Sequence, residues 1–417
     1  MSEIYCEIIT IGDEILYGHI LDTNSKWLSK NLNELGVTTN KISTIGDNYI
    51  QIKDILESSI KENDIIIFTG GLGPTNDDIT KKCLNDFFKG KLITDNNTLF
   101  HIKKIFKKRN LDLTKKNRDQ ALVPDNCKVL HNKYGTAPGI AFEKDNKLVI
   151  SLPGVPYEMK SLFENKCSQI IKQKFSLSII HHRTIKTVGI GESWLSDLIS
   201  EWEKNLDNNI SLAYLPSIGR VKLRLTGRGN NLNKIKSAID KEEKKVVPII
   251  RKYIYGFDNE ELESCVGNLL IKNKKTLSIA ESCSGGYLSH LVTSIPGSSK
   301  YFSGSIVAYS NNIKINNLNV NKKNIEKFGA VSKEVVEEMA TNVRKKFNSS
   351  IGISTSGIAG PSGGTENKPV GTVWIGYSDK NKTLSKKLLL TNRRDINITL
   401  SSIGALNMAR LSLEGYS

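Results

Sequence analysis

The sequence reads as an α/β protein: an N-terminal domain on a parallel sheet, a small α+β module in the middle, and a second α/β domain at the C-terminus. Three observations predict this. Short apolar runs alternate with amphipathic stretches from residue 5 to about 88, a split βαββαβ order runs from about 174 to 256, and the last 160 residues return to alternation. Strands that alternate with helical segments pair in parallel, because each crossover helix carries the chain back to the same end of the sheet.

In order, "YCEIITIG" reads as the first strand, residues 24–35 as a helix, "VTTNKISTIG" as a strand, residues 50–60 as a helix and "DIIIFTGG" as a strand. The middle module follows as "HRTIKTVGI", a helix over residues 194–202, "ISLAYLP", the alternating "GRVKLRLTGR", a Lys-rich helix and "KYIYG". In the last part "TLSIAES", "GSIVAYS", "IGISTSGIAG" and "VGTVWIGY" read as strands between helices. A chain of 417 residues is too long for one core, so two to three domains are expected, with linkers near Phe175 and Asp258 and spans of 1–173, 174–257 and 258–417.

Composition narrows the function classes. No apolar stretch approaches the roughly 20 residues of a membrane span, and "MSEIYCEIIT" enters a strand without a basic region and long apolar core, so a cytoplasmic protein with no membrane partner is expected. The six cysteines lie far apart with no CxxC, and the six histidines form no HExxH, which argues against zinc ribbons, disulfide frameworks and a histidine-bound metal. The net charge of +16 suits anionic partners, yet Lys and Asn are scattered over every segment without aromatic interleaving. Solvated surface is the expected role of this charge, and no specific nucleic-acid partner is expected.

In a parallel sheet the C-terminal strand ends share one edge, where ligands bind. That edge receives "GDEI" at 12–15 and "GGLGPTNDD" at 70–78. Gly70, Gly71 and Gly73 free the backbone to face a phosphate, and residues 75–78 are expected to begin the next helix, whose positive end favours anions. Asp77 and Asp78 read either as helix caps or, with Asp13 and Glu14 on the same rim, as oxygen ligands of a divalent cation that bridges a diphosphate. "YGTAPGIAF" and "SLPGVPYEM" place further Gly and Pro at strand ends.

The stretch "AESCSGG" at 280–286 sits on a strand-to-helix turn that presents nucleophiles or cradles anions. His290 is seven residues beyond Cys283, so no Cys–His pair forms locally. Ser282 and Ser284 read as helix caps or as a nucleophile whose base must come from elsewhere in the fold; Tyr309 and Lys314 in "VAYSNNIK" are the best candidates. The N–H groups of the Ser284, Gly285 and Gly286 turn are the expected oxyanion donors. A third glycine-rich loop, "TSGIAGPSGGTENKPVGTV", follows another strand and offers donors to a phosphate.

Together the motifs "GDEIL.G...DTN", "TGGLGPT.DD", "NR.QAL.P", "GTAPG", "PGVP.EM", "AESC.GG", "PGSS..F.G..VAYSN", "GAVS" and "SGIAGP.GGT..KPVGTV" resemble, in order and over essentially all of the chain, the competence/damage-inducible protein A (CinA) family. The resemblance implies a molybdopterin-binding-like first domain that hydrolyses ADP-ribose to AMP and ribose 5-phosphate. A divalent ion (Mg, Mn or Co) would be held by Asp13, Glu14, Asp77 and Asp78. It implies a KH-like middle module, and a C-terminal nicotinamide-nucleotide amidase that needs no cofactor and converts nicotinamide mononucleotide to the nicotinate form in pyridine nucleotide recycling. Ser282 is then the nucleophile, with Tyr309 and Lys314 as activating partners. Implied substrate contacts are Asn24, Gly70, Gly71, Gly73, Thr75 and Gly154 in the first domain. In the last they are Ser284, Gly285, Gly286, Gly357, Ala359, Gly360, Gly363, Gly364, Thr365 and Arg393. The family also implies a homodimer. This chain departs from the family pattern at Ser284, Asn312 and Asn392. The rival reading is a pterin- or nucleotide-binding, competence-associated protein without pyrophosphatase activity, because shared fold does not entail shared chemistry.

Overall fold

The computed structural model of the chain describes residues 3–75 and 78–416. Its contacts gather into two compact units, one of the residues up to His181 with Arg228–Ile235, the other of His182–Gly227 with the chain from Lys236 onward.

The described residues of the first unit form β1 (Tyr5–Ile11), β2 (Thr38–Ile45), β3 (Ile65–Thr69), β4 (Leu92–Thr94), β5 (Leu122–Pro124), β6 (Lys128–Leu130), β7 (Gly139–Lys144) and β8 (Lys147–Leu152). Six of them make a sheet in the order β2-β1-β3-β8-β7-β6, while β4 pairs with β5. Along β3, "IIIFT", every residue is buried. Ile65 and Ile67 enter a core with Leu28, Leu32 and Phe163, whereas Ile66 and Phe68 enter another with Ile52, Leu56 and Leu84. Successive side chains of a strand point to opposite faces, so a strand covered on both sides reads as an unbroken apolar run. The expected parallel sheet holds for β2, β1, β3 and β8; β7 runs antiparallel to β8, and β6 runs antiparallel to β7.

The middle sheet, β9 (Ile179–Val188), β10 (Ile210–Ser217), β11 (Arg220–Gly229) and β12 (Ile254–Phe257), has the order β10-β11-β9-β12 and carries the helices Glu192–Lys204 and Leu232–Ile250, the expected βαββαβ arrangement. Inside the second unit it is tied to the C-terminal part by Arg410, fully buried, which donates to the carbonyls of Ile254 at 2.9 Å and Lys252 at 2.7 Å.

The last sheet comprises β13 (Leu277–Glu281), β14 (Phe302–Val307), β15 (Ile351–Gly357), β16 (Thr372–Ser378) and β17 (Thr383–Leu389) in the order β14-β13-β15-β16-β17. The expected strand–helix alternation fails between β15 and β16. Residues 358–371, rich in Gly and Pro, form a loop without a helix, so β16 returns antiparallel to β15. The parallel trio β14, β13 and β15 therefore ends on one edge, and the loop leaves from that same edge. Among the described residues no helix is long and apolar enough to cross a membrane.

Candidate functional site

Glu281 ends β13, and the chain then turns sharply. The Ser282 N–H donates to the Thr355 carbonyl of β15 at 2.9 Å, and the Gly285 N–H closes the turn on the Ser282 carbonyl at 3.1 Å. Gly285 and Gly286 hold φ values of 59° and 101°, which only glycine adopts without strain. The helix Tyr287–Thr293 follows.

Glu281 organises this turn although it is completely buried. Its carboxylate accepts from the N–H groups of Gly286, Leu288 and Ser289 at 2.9, 3.1 and 2.8 Å, from the Ser284 hydroxyl at 2.7 Å and from the Ser289 hydroxyl at 2.5 Å. A buried carboxylate is tolerated when donors replace its water, and here they also satisfy the open N–H groups of a helix start. These bonds change the oxyanion expectation, since the N–H groups of Gly285 and Gly286 are already engaged and Ser284 N–H is the remaining candidate of the three.

Lys314 reaches the same turn. It lies in the helix Asn311–Leu318, capped by the Ser310 side chain, and is 1% exposed. Its Nζ lies 3.0 Å from Ser282 Oγ, 2.7 Å from the Ala308 carbonyl and 3.3 Å from the Tyr309 carbonyl. Burial lowers its pKa to about 8, against a small opposing effect from Cys283. The Cys283 thiol next to the serine is itself buried, which pushes its pKa up to about 11, so at neutral pH it is a protonated, poor nucleophile.

Tyr309 takes part through its backbone. Its side chain is 59% exposed and its hydroxyl accepts from Arg394 at 2.8 Å, away from the serine–lysine bond. Arg394 also donates to the Gly360 carbonyl at 2.9 Å and so joins the loop after β15 to the segment after β14. Arg393, the residue expected from sequence, pairs instead with Asp395 on an open surface. Asn397 anchors the same loop by donating to the Ala359 carbonyl at 3.0 Å. Gly357 ends β15, and Gly363, Gly364 and Thr365 lie on the loop's exposed outer part. Asn312 and Asn392 are also exposed. Sequence reasoning missed Glu281, Thr355, Arg394 and Asn397; only the adjacent Arg-Arg pair and the acid beside Ser282 hinted at two of them.

In the first unit the structure brings Asn24, Gly70 and Gly154 together at the C-terminal edge of β3. Asn24 Nδ2 donates to the Gly154 carbonyl at 2.7 Å and to Thr69 Oγ1 at 3.1 Å, while its Oδ1 is buried without a partner. A Cβ at Gly70, φ 116°, would lie 2.2 Å from the Ile11 carbonyl oxygen, so only glycine fits. The expected helix start at 75–78 is corrected: the helix is Thr80–Phe87, and Asp78 does not cap it. Asp78 instead accepts from the N–H groups of Gly73 at 2.7 Å and Thr75 at 2.8 Å and from the Thr75 hydroxyl, so its carboxylate shapes the loop that Gly71 continues. Asp13 and Glu14 are exposed on the four-residue helix Asp13–Leu16, and Asp77 lies outside the described residues. Among the described residues no group of three or more His, Cys, Asp or Glu is placed to hold a metal ion.

Three family models cover the chain: the probable molybdopterin binding domain over residues 7–173, the damage-inducible protein CinA KH domain over 182–256 and the CinA C-terminal domain over 259–413. The chain is 50% identical over 413 residues to a CinA-like protein of Cytophaga hutchinsonii, covering 99% of both. The chain belongs to the CinA family. A putative competence-damage inducible protein of Halothermothrix orenii is 44% identical over 372 residues, 89% of each chain. The solved CinA of Thermoplasma acidophilum is 30% identical and covers 42% of this chain and 99% of its own, with a TM-score of 0.37. The fold of this family member is the mixed α/β arrangement described, with a molybdopterin-binding-like first domain and the CinA C-terminal domain last.

Proposed function

We propose that the C-terminal domain is a serine amidase that hydrolyses nicotinamide mononucleotide to nicotinate mononucleotide and ammonia. The observation that carries this reading is the 3.0 Å contact between Ser282 Oγ and a buried Lys314 Nζ with a lowered pKa. Ser282 Oγ attacks the carboxamide carbon while its proton passes to Lys314. That proton is delivered to the leaving nitrogen as the C–N bond breaks, which releases ammonia and leaves an acyl ester. Water, deprotonated by the same amine, opens the ester and restores the serine. The pyridinium charge of this substrate makes its amide a better electrophile, and Arg394 at the rim suits the 5′-phosphate. Ser282→Ala and Lys314→Ala should each lower ammonia release at least about a thousandfold, with Cys283→Ala active. A fully active Ser282→Ala would overturn the assignment.

A second reading concerns the first domain, where the unpartnered Asn24 Oδ1 beside the Gly70–Gly71 backbone favours a ligand with donor groups at the sheet edge. We infer that this edge binds a nucleotide diphosphate such as ADP-ribose and hydrolyses it to AMP and ribose 5-phosphate, with Asp13, Glu14, Asp77 and Asp78 as the residues that would hold a divalent ion to neutralise the diphosphate. ADP-ribose incubated with and without Mg²⁺ should give both products by mass, and no cleavage under either condition would leave only the pterin- or nucleotide-binding rival.

A further inference from the structure

From residue 396 the helix Arg394–Leu413 reads "INITLSSIGALNMARLSL", apolar or small on nearly every side. A helix of that composition belongs inside a core, covered all round. Here the cover is incomplete. Ile403, Ala405, Leu406 and Ala409 are buried, whereas Leu400, Gly404, Met408 and Leu411, spaced four, four and three residues apart on one stripe, are only partly buried.

That stripe faces a cavity of about 600 Å³ within the second unit. β17 supplies a second wall: its even-numbered residues share one face, and Leu384, Leu388 and Leu390 on that face are also only partly buried. A Cβ on Gly404 would lie 3.1 Å from Leu388 Cδ1, so helix and strand meet at the floor. The middle sheet closes a third side. A Cβ on Gly219, in the turn between β10 and β11, would lie 2.8 Å from Leu400 Cδ2, and one on Gly189, just after β9, would lie 2.9 Å from Asn407 Nδ2.

Volume and charge define what fits between these walls. The cavity is within the range of small-molecule sites, about 300–1,000 Å³. It is smaller than the roughly 850 Å³ that two turns of a helix about 10 Å across would fill, which argues against a docked helix. Lys252 and Lys386 are the charged residues at the cavity, and no Asp or Glu is among the described residues that line it. Lys386 shares the face of β17 that carries the three leucines, and so sets a cation against an otherwise apolar wall.

We propose that this cavity binds an amphipathic monoanion, a carboxylate with an unbranched apolar chain, with the chain between the helix stripe and β17 and the acid group toward Lys386 and Lys252. The leucine and methionine walls require an apolar body, and two cations without an acid select a negative head. The site uses neither Ser282 nor any residue of the first unit, and neither hydrolysis proposed above requires it.

The test is calorimetric titration of the full chain with octanoate, butanoate and octanol. Octanoate should bind at least about tenfold more tightly than butanoate, since each methylene taken from water adds about fourfold. It should also bind at least about threefold more tightly than octanol, which has the chain without the charge. Lys386→Glu, at an exposed position, should weaken octanoate at least about tenfold and leave octanol within about threefold. Met408→Trp, which fills the space, should weaken both ligands, and where that variant fails to fold the Lys386→Glu comparison decides alone. Lys322→Glu, exposed on a separate helix, should change neither. No binding of octanoate at about 5 mM, equal affinity for butanoate or octanol, or an equal loss in Lys322→Glu would overturn the proposal. Self-association of the chain that Met408→Trp abolishes would also overturn it, and would give the groove to a second copy.

Discussion

A neutral amine has two N–H bonds and one lone pair, and the surroundings of Lys314 distribute them. The carbonyls of Ala308 and Tyr309 can only accept, so they take the two N–H bonds and leave the lone pair facing the Ser282 hydroxyl. Protonation fills that lone pair and removes the base. Because burial favours the neutral form, kcat/KM for amide hydrolysis should rise with pH through an apparent pKa of about 8 and level off above it. The same burial bears on stability. A lysine whose folded pKa lies below its unfolded value binds fewer protons when folded, so stability rises with pH between about 8 and the unfolded value near 10.4, and below 8 the charged form is a burden. Lys314→Met should therefore raise the thermal midpoint at pH 7 by a few degrees while abolishing ammonia release, measured by calorimetry and assay on one preparation; a lowered midpoint would refute it. Glu281 offers the contrary case. Glu281→Gln places an amide NH2 against a ring of donors, and this variant should lose about 1–3 kcal/mol in denaturant unfolding and most of its turnover.

At the scale of elements, the loop of residues 358–371 has no secondary structure of its own to fix it, so its position depends on the start of the helix Arg394–Leu413. Arg394 and Asn397 hold the carbonyls of Gly360 and Ala359. Arg394→Ala should raise KM for nicotinamide mononucleotide at least about tenfold, as expected for a lost charge-assisted contact, with a smaller effect on kcat. Arg393→Ala, which removes only a surface pair, should leave both within about twofold; the reverse ranking would return the phosphate contact to Arg393. Sequence could not choose between two adjacent arginines, because neighbours at a helix start point about 100° apart and only the packed loop decides which faces it. The strands were legible for the opposite reason: "IIIFT" and "LSIAE" are covered on both faces, so composition alone marks them. The direction of β7 and β16 was not, since an apolar run carries no sign of which way it enters the sheet. The cap was one of two readings of Asp78, because an acid near a helix start satisfies the same N–H groups as one folded back on its own loop.

At the scale of the whole molecule, the question left by the +16 charge is whether the middle sheet, in a span that matches a KH domain model, grips nucleic acid. A KH module clamps the backbone with a GxxG loop. Here Gly189 is followed three residues later by Glu192, which begins a helix with Gly191 as its cap, and Gly227 is followed by Asn230. An acidic side chain at the start of that helix opposes a phosphate where the clamp would need none. The exposed Trp194 alone offers a stacking face in this helix, too little for a cooperative strand track. Association with single-stranded RNA should therefore rest on scattered Lys and Arg contacts alone. Fluorescence anisotropy should show weak binding at about 50 mM salt that falls by several decades by about 200 mM, with no preference among sequences. Restoring glycine with Glu192→Gly should leave the affinity within about threefold, because one residue does not supply the missing basic groove. Tight, sequence-selective binding that persists at about 200 mM salt would show instead that the module reads nucleic acid without the glycine clamp.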